Sequence, residues 1–185
     1  SHAVKAYIQS HYGTPDARIR VVHRGIDAAE FDPAALDTAF MQEFCARHQL
    51  HHRFVVTSVG RFSPRKDYET LIRAAAHVAE EIPEIRVMLV GGSSEKHREY
   101  EQTLKELAER LGVADKLVLP GSQRQMAEIY ALSNVVVSCS RKPESFGRVV
   151  TEALAMNRPV IATRQGGPLE IIRENVDGFF FSPGD

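Results

Sequence analysis

At 185 residues, with 43% hydrophobic and 25% charged residues, the chain has the size and composition of one soluble domain with a substantial core. A formal net charge of −1 gives a nucleic-acid partner no global electrostatic support. No apolar run reaches the roughly 18–20 residues that a bilayer-spanning helix requires.

The chain begins Ser1-His2-Ala3, with neither an initiator Met nor the apolar stretch of a signal peptide, a start expected of an excised fragment. In residues 1–25, Val4 to Tyr12 reads as the end of a helix and Ile19 to Val22 as a strand. Residues 26–52 read as a connector with one helix, Leu36 to His48. Cys45 and Cys139 match no metal or redox spacing and read as reduced thiols of a cytosolic protein.

From residue 53 to 185 short apolar runs alternate with helical patterns. Phe54 to Val59 predicts a buried strand ending at Gly60. Tyr68 to Glu81 predicts a helix, with Leu71, Ile72, Ala75 and Val78 at helical spacing and Pro83 as its stop. Arg86 to Val90 is a second strand closed by Gly91-Gly92, and His97 to Leu111 an amphipathic helix with Gly112 in the C-cap role. Shorter units follow: strands at Lys116–Leu119, Asn134–Ser138, Pro159–Ala162 and Gly178–Phe181, and helices at Gln123–Leu132, Phe146–Met156 and Pro168–Asn175. Strands rich in Val, Leu and Ile without polar alternation suit a sheet covered on both faces. Repeated βα units imply parallel strands with right-handed crossovers, hence an α/β, Rossmann-like, doubly wound sheet.

In such a sheet ligands bind beyond the carboxyl ends of the strands. The loop after the first strand, Gly60 to Asp67, holds three cations, Arg61, Arg65 and Lys66, before Asp67, which is placed to cap the next helix. Cations beside a helix N-terminus suit a diphosphate, and a solvated basic turn has the same spacing. Neither G-x-G-x-x-G nor G-x-x-x-x-G-K-[ST] follows any strand, which argues against NAD-dependent and P-loop chemistry. Glu144 lies in the loop after the fourth strand, and Glu152 about two turns later on the following helix. One carboxylate can accept from sugar hydroxyls and the other hold a ribose diol, although surface helices commonly carry such glutamates. Backbone N–H groups from Phe146 to Val149 are unpaired at a helix start and can face phosphate.

Four ordered stretches resemble the retaining group 1 (family 4) glycosyltransferases of two-domain GT-B architecture. Val21-Val22-His23-Arg24-Gly25-Ile26-Asp27 with Phe31 is similar to the interdomain segment. Gly60-Arg61-Phe62 with Lys66 and Leu71-Ile72-Arg73-Ala74 is similar to the basic loop and helix. Pro143-Glu144-Ser145-Phe146-Gly147 with Glu152-Ala153-Leu154-Ala155 carries the Glu-x7-Glu pattern. Pro159-Val160-Ile161-Ala162-Thr163, Gly166-Gly167, Glu170, Gly178 and Pro183-Gly184-Asp185 resemble the closing segment.

This resemblance implies that residues 53–185 are a donor-binding domain truncated at its C-terminus, with residues 1–25 the remnant of an N-terminal acceptor domain. Arg61 and Lys66 would stabilise the donor diphosphate as leaving group, Glu144 would contact the transferred sugar, and Glu152 the ribose. Gly60, together with Ser145, Phe146, Gly147, Arg148 and Val149, would meet phosphate and sugar. The base would lie near Gly121, Ser122 and Met126. The substrate is a nucleotide-sugar; no metal or other cofactor is expected, because side chains and a helix N-terminus take that part. The acceptor, a glycan, lipid or small molecule, would be bound mainly by the absent domain, so the fragment alone would bind donor weakly and transfer no sugar. A cytoplasmic setting is implied, with the inner membrane surface open to the full-length protein. Arg24 stands where the family usually has Asn, and Asp67 where Gly often follows the Lys. The reading from another class is a non-catalytic module binding a nucleotide or sugar phosphate on the same scaffold.

Other signals are assigned no function. His48, His51 and His52 lack a completing carboxylate or thiolate and read as surface histidines. Glu99 to Glu109 reads as a solvated helix face with Glu101 and Lys105 at i,i+4. Gly91-Gly92 reads as a tight turn, with lining of the crevice between domains as the second reading, and Phe179 to Phe181 as a core strand.

Overall fold

The computed structural model describes residues 1–92 and 98–185, so His97, expected to open the fourth helix, lies outside the described residues. Six strands, β1 (Phe54–Val59), β2 (Ile85–Val90), β3 (Leu117–Gly121), β4 (Val135–Ser138), β5 (Val160–Thr163) and β6 (Gly178–Phe181), form one sheet. Their order is β3-β2-β1-β4-β5-β6, and every pairing is parallel. The helices are α1 (His2–Tyr12), α2 (Thr38–His48), α3 (Tyr68–Glu81), α4 (Arg98–Arg110), α5 (Met126–Ala131) and α6 (Arg148–Ala155).

The period of two along each strand divides the core between the two faces. Val56 of β1, Val87 and Leu89 of β2 and Val137 of β4 pack with Leu71, Ile72 and Ala75 of α3 and Leu104 and Leu107 of α4. Their neighbours Val55, Met88 and Val90 pack with Phe44 of α2 and Ile129 of α5, while Val136, Val160 and Ala162 meet Val150 and Ala153 of α6. The connector joins this core: Phe31 is buried against Tyr130, and α2, capped by the Asp37 carboxylate on the Phe40 amide at 3.0 Å, buries Phe44. Helix α1, N-capped by Ser1, rests on the C-terminal turn, where Glu170 accepts from the amides of His2 and Ala3 at 2.9 and 2.8 Å.

Three expected elements differ. Residues 19–22 pair with no strand: Ile19 is extended, but Val22 is 77% exposed and the segment meets no sheet edge. β-branched composition permits extension; a strand also needs a hydrogen-bonding neighbour. The helix expected at Pro168–Asn175 is one 3-10 turn, Gly167–Glu170. Gly167 is held by its amide to the Glu144 carbonyl at 2.7 Å, and Asn175, at φ 64°, ends the segment with a bond to Gly178. Helix α5 starts three residues later than expected, because Ser122 and Gln123 turn toward the strand ends and Gln125 adopts a non-helical conformation.

The first turns beyond β1 and β2 touch through backbone. Gly91 has φ 147°, and a β-carbon there would lie 2.0 Å from the Gly60 carbonyl oxygen. Gly91→Ala is therefore expected to destabilise the chain by about 3 kcal/mol through overpacking and strain, measured by urea unfolding with an unchanged m-value. A loss below about 1 kcal/mol would show that the two turns can separate freely.

Candidate functional site

The carboxyl ends of β1 to β4 open into a cleft of about 720 Å³, lined among others by Gly60, Arg61, Lys66, Gly92, Glu144 and Glu152. Strand β4 lies directly against β1, the point where strand order reverses, so the loops after these two strands face each other. The β1 loop descends through a 3-10 turn at Pro64–Lys66, then reverses at Asp67, which is fully buried at φ 53°. The Asp67 side chain makes no amide cap on α3, which corrects the capping expectation. Its Oδ2 instead accepts from the Thr70 hydroxyl and from Arg141 Nε of the β4 loop, both at 3.0 Å, because the left-handed backbone turns the carboxylate across the gap.

Three more contacts join the loops. The Arg141 amide donates to the Arg65 carbonyl at 2.9 Å, Arg65 Nη2 to the Pro143 carbonyl at 3.3 Å, and Lys66 Nζ to Glu144 Oε1 at 2.5 Å. The Ser140 hydroxyl also donates to Glu144 Oε1, at 2.6 Å. Burial pushes the Glu144 carboxyl up, but the Lys66 ammonium, the Ser140 hydroxyl and Arg65 together hold it below the usual carboxylate value.

Gly147, at φ 95°, leads into α6, and a β-carbon there would press on Pro168 at 3.2 Å. The first backbone bond closing the helix runs from Thr151 to Gly147, so the amides of Arg148, Val149 and Val150 precede it with no side-chain cap. Those amides begin the positive end of α6 at the cleft. One helical stretch on, Glu152 is 6% exposed, so the ordinary reading of a solvated surface glutamate does not hold. Its Oε2 accepts from the buried Tyr130 hydroxyl at 2.6 Å and its Oε1 faces Arg148 Nε at 3.1 Å. Burial raises its pKa, with Tyr130 and Arg148 opposing and Glu30 adding to the rise.

Of the residues singled out from sequence, Gly60, Arg61, Lys66, Ser122, Met126, Glu144, Arg148, Val149 and Glu152 line the cleft. Ser145, Phe146 and Gly147 line an adjoining cavity of about 340 Å³ shared with Arg61, Lys66 and Glu144. Gly121 lines neither; its carbonyl accepts from the Gly91 amide at 3.0 Å, which makes it part of the sheet edge. Gly91 and Gly92 do line the cleft. Sequence reasoning missed Arg24, Asp27 and Glu30, which form its wall from the connector side, and Tyr130, which holds Glu152. The buried Phe31 after a Gly-Ile-Asp turn is the signal that ties that segment to the core. Among the described residues, the side chains grouped closely enough to share a metal ion are His2, His23 and Glu170, all exposed, rather than His48 and His52.

The model of the family "Glycosyl transferases group 1" matches residues 42–185. A D-inositol 3-phosphate glycosyltransferase from Mycolicibacterium gilvum is 34% identical over 182 residues, covering 96% of this chain and 38% of that protein. The chain thus spans about four-tenths of the length of this curated relative. Anabaena HepE, solved in complex with UDP, superposes with a TM-score of 0.87 at 28% identity over 98% of this chain and 48% of its own. A glycosyltransferase from Rickettsia africae superposes with a TM-score of 0.93 at 27% identity over all of this chain and 48% of its own. Family match, sheet topology and cleft agree, and the chain belongs to the group 1 glycosyltransferases, with the Rossmann-like fold of their C-terminal domain.

Proposed function

We propose that the cleft binds the nucleotide-sugar donor of a retaining glycosyltransferase, with uridine diphosphate as the carrier. The observation that carries this reading is the convergence of Arg61, Lys66 and the uncapped start of α6 with two buried-side carboxylates, Glu144 and Glu152, on one cleft at the strand ends. The base is inferred from Anabaena HepE, whose solved complexes hold UDP and UDP-glucose.

In this arrangement Arg61, Lys66 and the α6 amides take up diphosphate charge, a transition-state contribution that needs no metal ion. Glu144 accepts from hydroxyls of the transferred sugar, and Glu152, preset by Tyr130, accepts from the ribose diol. Ser122 and Met126 lie where the base would stack. The acceptor, a glycan, lipid or small molecule, is bound mainly by a partner domain, so the chain alone binds donor without transferring sugar. The setting is cytoplasmic, with the inner membrane surface available to the whole enzyme.

Calorimetric titration with UDP, GDP and ADP tests the donor reading. UDP is expected to bind preferentially, and Arg61→Ala or Glu152→Ala to weaken it about tenfold each, the worth of one charge-assisted hydrogen bond. Equal weak binding of all three, unaffected by either substitution, would overturn it.

Lys66 cannot serve diphosphate and Glu144 equally, so donor binding draws on a pair that is closed in the free chain. Because the folded pKa of Glu144 lies below its unfolded value, its contribution to stability is present above the unfolded value and is lost as pH falls through the folded one. Lys66→Ala leaves burial as the largest influence, and the Glu144 midpoint, followed by carboxyl carbon NMR, is expected to rise. A midpoint unmoved by the substitution would show that Ser140 and Arg65 suffice to hold the charge.

A further inference from the structure

Outside the donor cleft, three segments distant in sequence meet at side chains that the proposed function does not use. His2 stands in the first turn of α1, His23 in the irregular stretch before the connector, and Glu170 at the end of the 3-10 turn Gly167–Glu170. None of the three lines the cleft or the adjoining cavity. One ring nitrogen of each histidine and one Glu170 carboxylate oxygen all lie within 4.8 Å of one another.

The spacing suits ligands better than an ion pair. His23 Nε2 stands 3.4 Å from Glu170 Oε2, whereas a charge-assisted hydrogen bond closes to about 2.7–2.9 Å. Two atoms bound tetrahedrally to one ion at about 2.0–2.2 Å stand roughly 3.4 Å apart, which matches this separation. The His2 and His23 rings meet edge to face with centroids 5.5 Å apart. Two imidazoles sharing an ion at that bond length have centroids roughly 5 Å apart. Separations nearer the 4.8 Å limit close by rotation of the side chains, which their exposure permits.

Glu170 is already oriented, because Oε2 accepts from the His2 amide at 2.9 Å and Oε1 from the Ala3 amide at 2.8 Å. Each oxygen keeps a further lone pair, and hydrogen bonds of this kind are what hold ligating carboxylates in place at metal sites. Two imidazoles with one carboxylate favour zinc and its neighbours over magnesium or calcium, which take sets of oxygen ligands.

We propose that His2, His23 and Glu170 bind one zinc-class divalent cation, with water completing its coordination, and that the ion staples α1 to the Gly167–Glu170 turn. That turn also holds the Glu144 loop, through the Gly167 amide on the Glu144 carbonyl at 2.7 Å, and the Ser1 hydroxyl donates to the Ser145 carbonyl. The ion thus fixes the first helix against the loop that carries Glu144 and takes no part in sugar transfer. The inference stands independently of the donor reading.

The test is a calorimetric titration of the chain with zinc, with cobalt(II) absorption reporting the coordination. One zinc per chain is expected, with no competition from magnesium in large excess. His2→Ala, which keeps the amide that Glu170 accepts from, and His23→Gln are each expected to weaken zinc at least tenfold. A triple variant, His48→Ala with His51→Ala and His52→Ala, is expected to bind zinc as the parent chain does. Absence of zinc binding, binding indifferent to His2→Ala and His23→Gln, or equal competition by magnesium would each overturn the proposal. So would binding lost only in the triple variant. Amide hydrogen exchange checks the staple: saturating zinc is expected to slow exchange along α1 in the parent chain and not in His2→Ala. Saturation without added protection of α1 would overturn the stapling role.

Discussion

Strand β4 hydrogen-bonds to β1 although two strands, β2 and β3, and the helices α3, α4 and α5 separate them in sequence, and the crossover from β3 must pass over the sheet to bring this about. The pairing is short, Val56 with Val135 and Thr57 with Val136, yet it sets the loops after both strands face to face. One loop is basic and the other carries Glu144, so parallel register converts a pattern dispersed over about eighty residues into a single electrostatic contact. Arg141 on Asp67 and on the Arg65 carbonyl, with Arg65 on the Pro143 carbonyl, braces that contact from outside the cleft. The Lys66 ammonium is thereby held at a fixed place without its own partner being far buried; its side chain is 24% exposed and that of Glu144 18%.

The two glutamates that flank the α6 entrance are treated oppositely by their surroundings. Glu144 receives an ammonium and a hydroxyl on one oxygen, and these hold its pKa below the usual carboxylate value against the effect of burial. Glu152 is more enclosed, and its help comes from a neutral phenol and an exposed arginine, which do not outweigh burial. The second arrangement ties Glu152 to the packing of α5 against α6. Tyr130 is itself buried against Phe31, so the connector reaches Glu152 through two aromatic side chains.

Strand positions were legible because burial on both faces demands unbroken apolar runs, and Phe54–Val59 is found as read, with the others within two residues. Which loops line the cleft was legible to the same degree, since a sheet of this kind presents the loops after its strands together. What sequence could not convey was tertiary. Ile19 to Val22 has strand composition but no edge to pair with, and a propensity cannot supply a neighbour. Pro168 to Asn175 has helical spacing, yet Gly167 must lie against the Phe146 carbonyl, where a β-carbon would come within 2.2 Å, and this close approach limits the segment to one turn. Nothing in the sequence singles out Tyr130, because the partner of its hydroxyl lies on another helix.

The charge distribution adds a long-range consequence to these contacts. Acidic side chains gather on the solvated face of α4, where Glu101 pairs with Lys105, while the strand ends concentrate arginine and lysine. Positive charge is concentrated in the adjoining cavity, where five cations face Glu144, whereas the main cleft sets Arg24, Arg61, Lys66 and Arg148 against Asp27, Glu30, Glu144 and Glu152. Field lines leaving low-dielectric walls are focused in a cleft, which raises the local concentration of a phosphate-bearing ligand before any hydrogen bond forms. Such steering weakens as salt shortens the screening length to about 8 Å at physiological ionic strength, whereas the enclosed Lys66–Glu144 contact is screened far less.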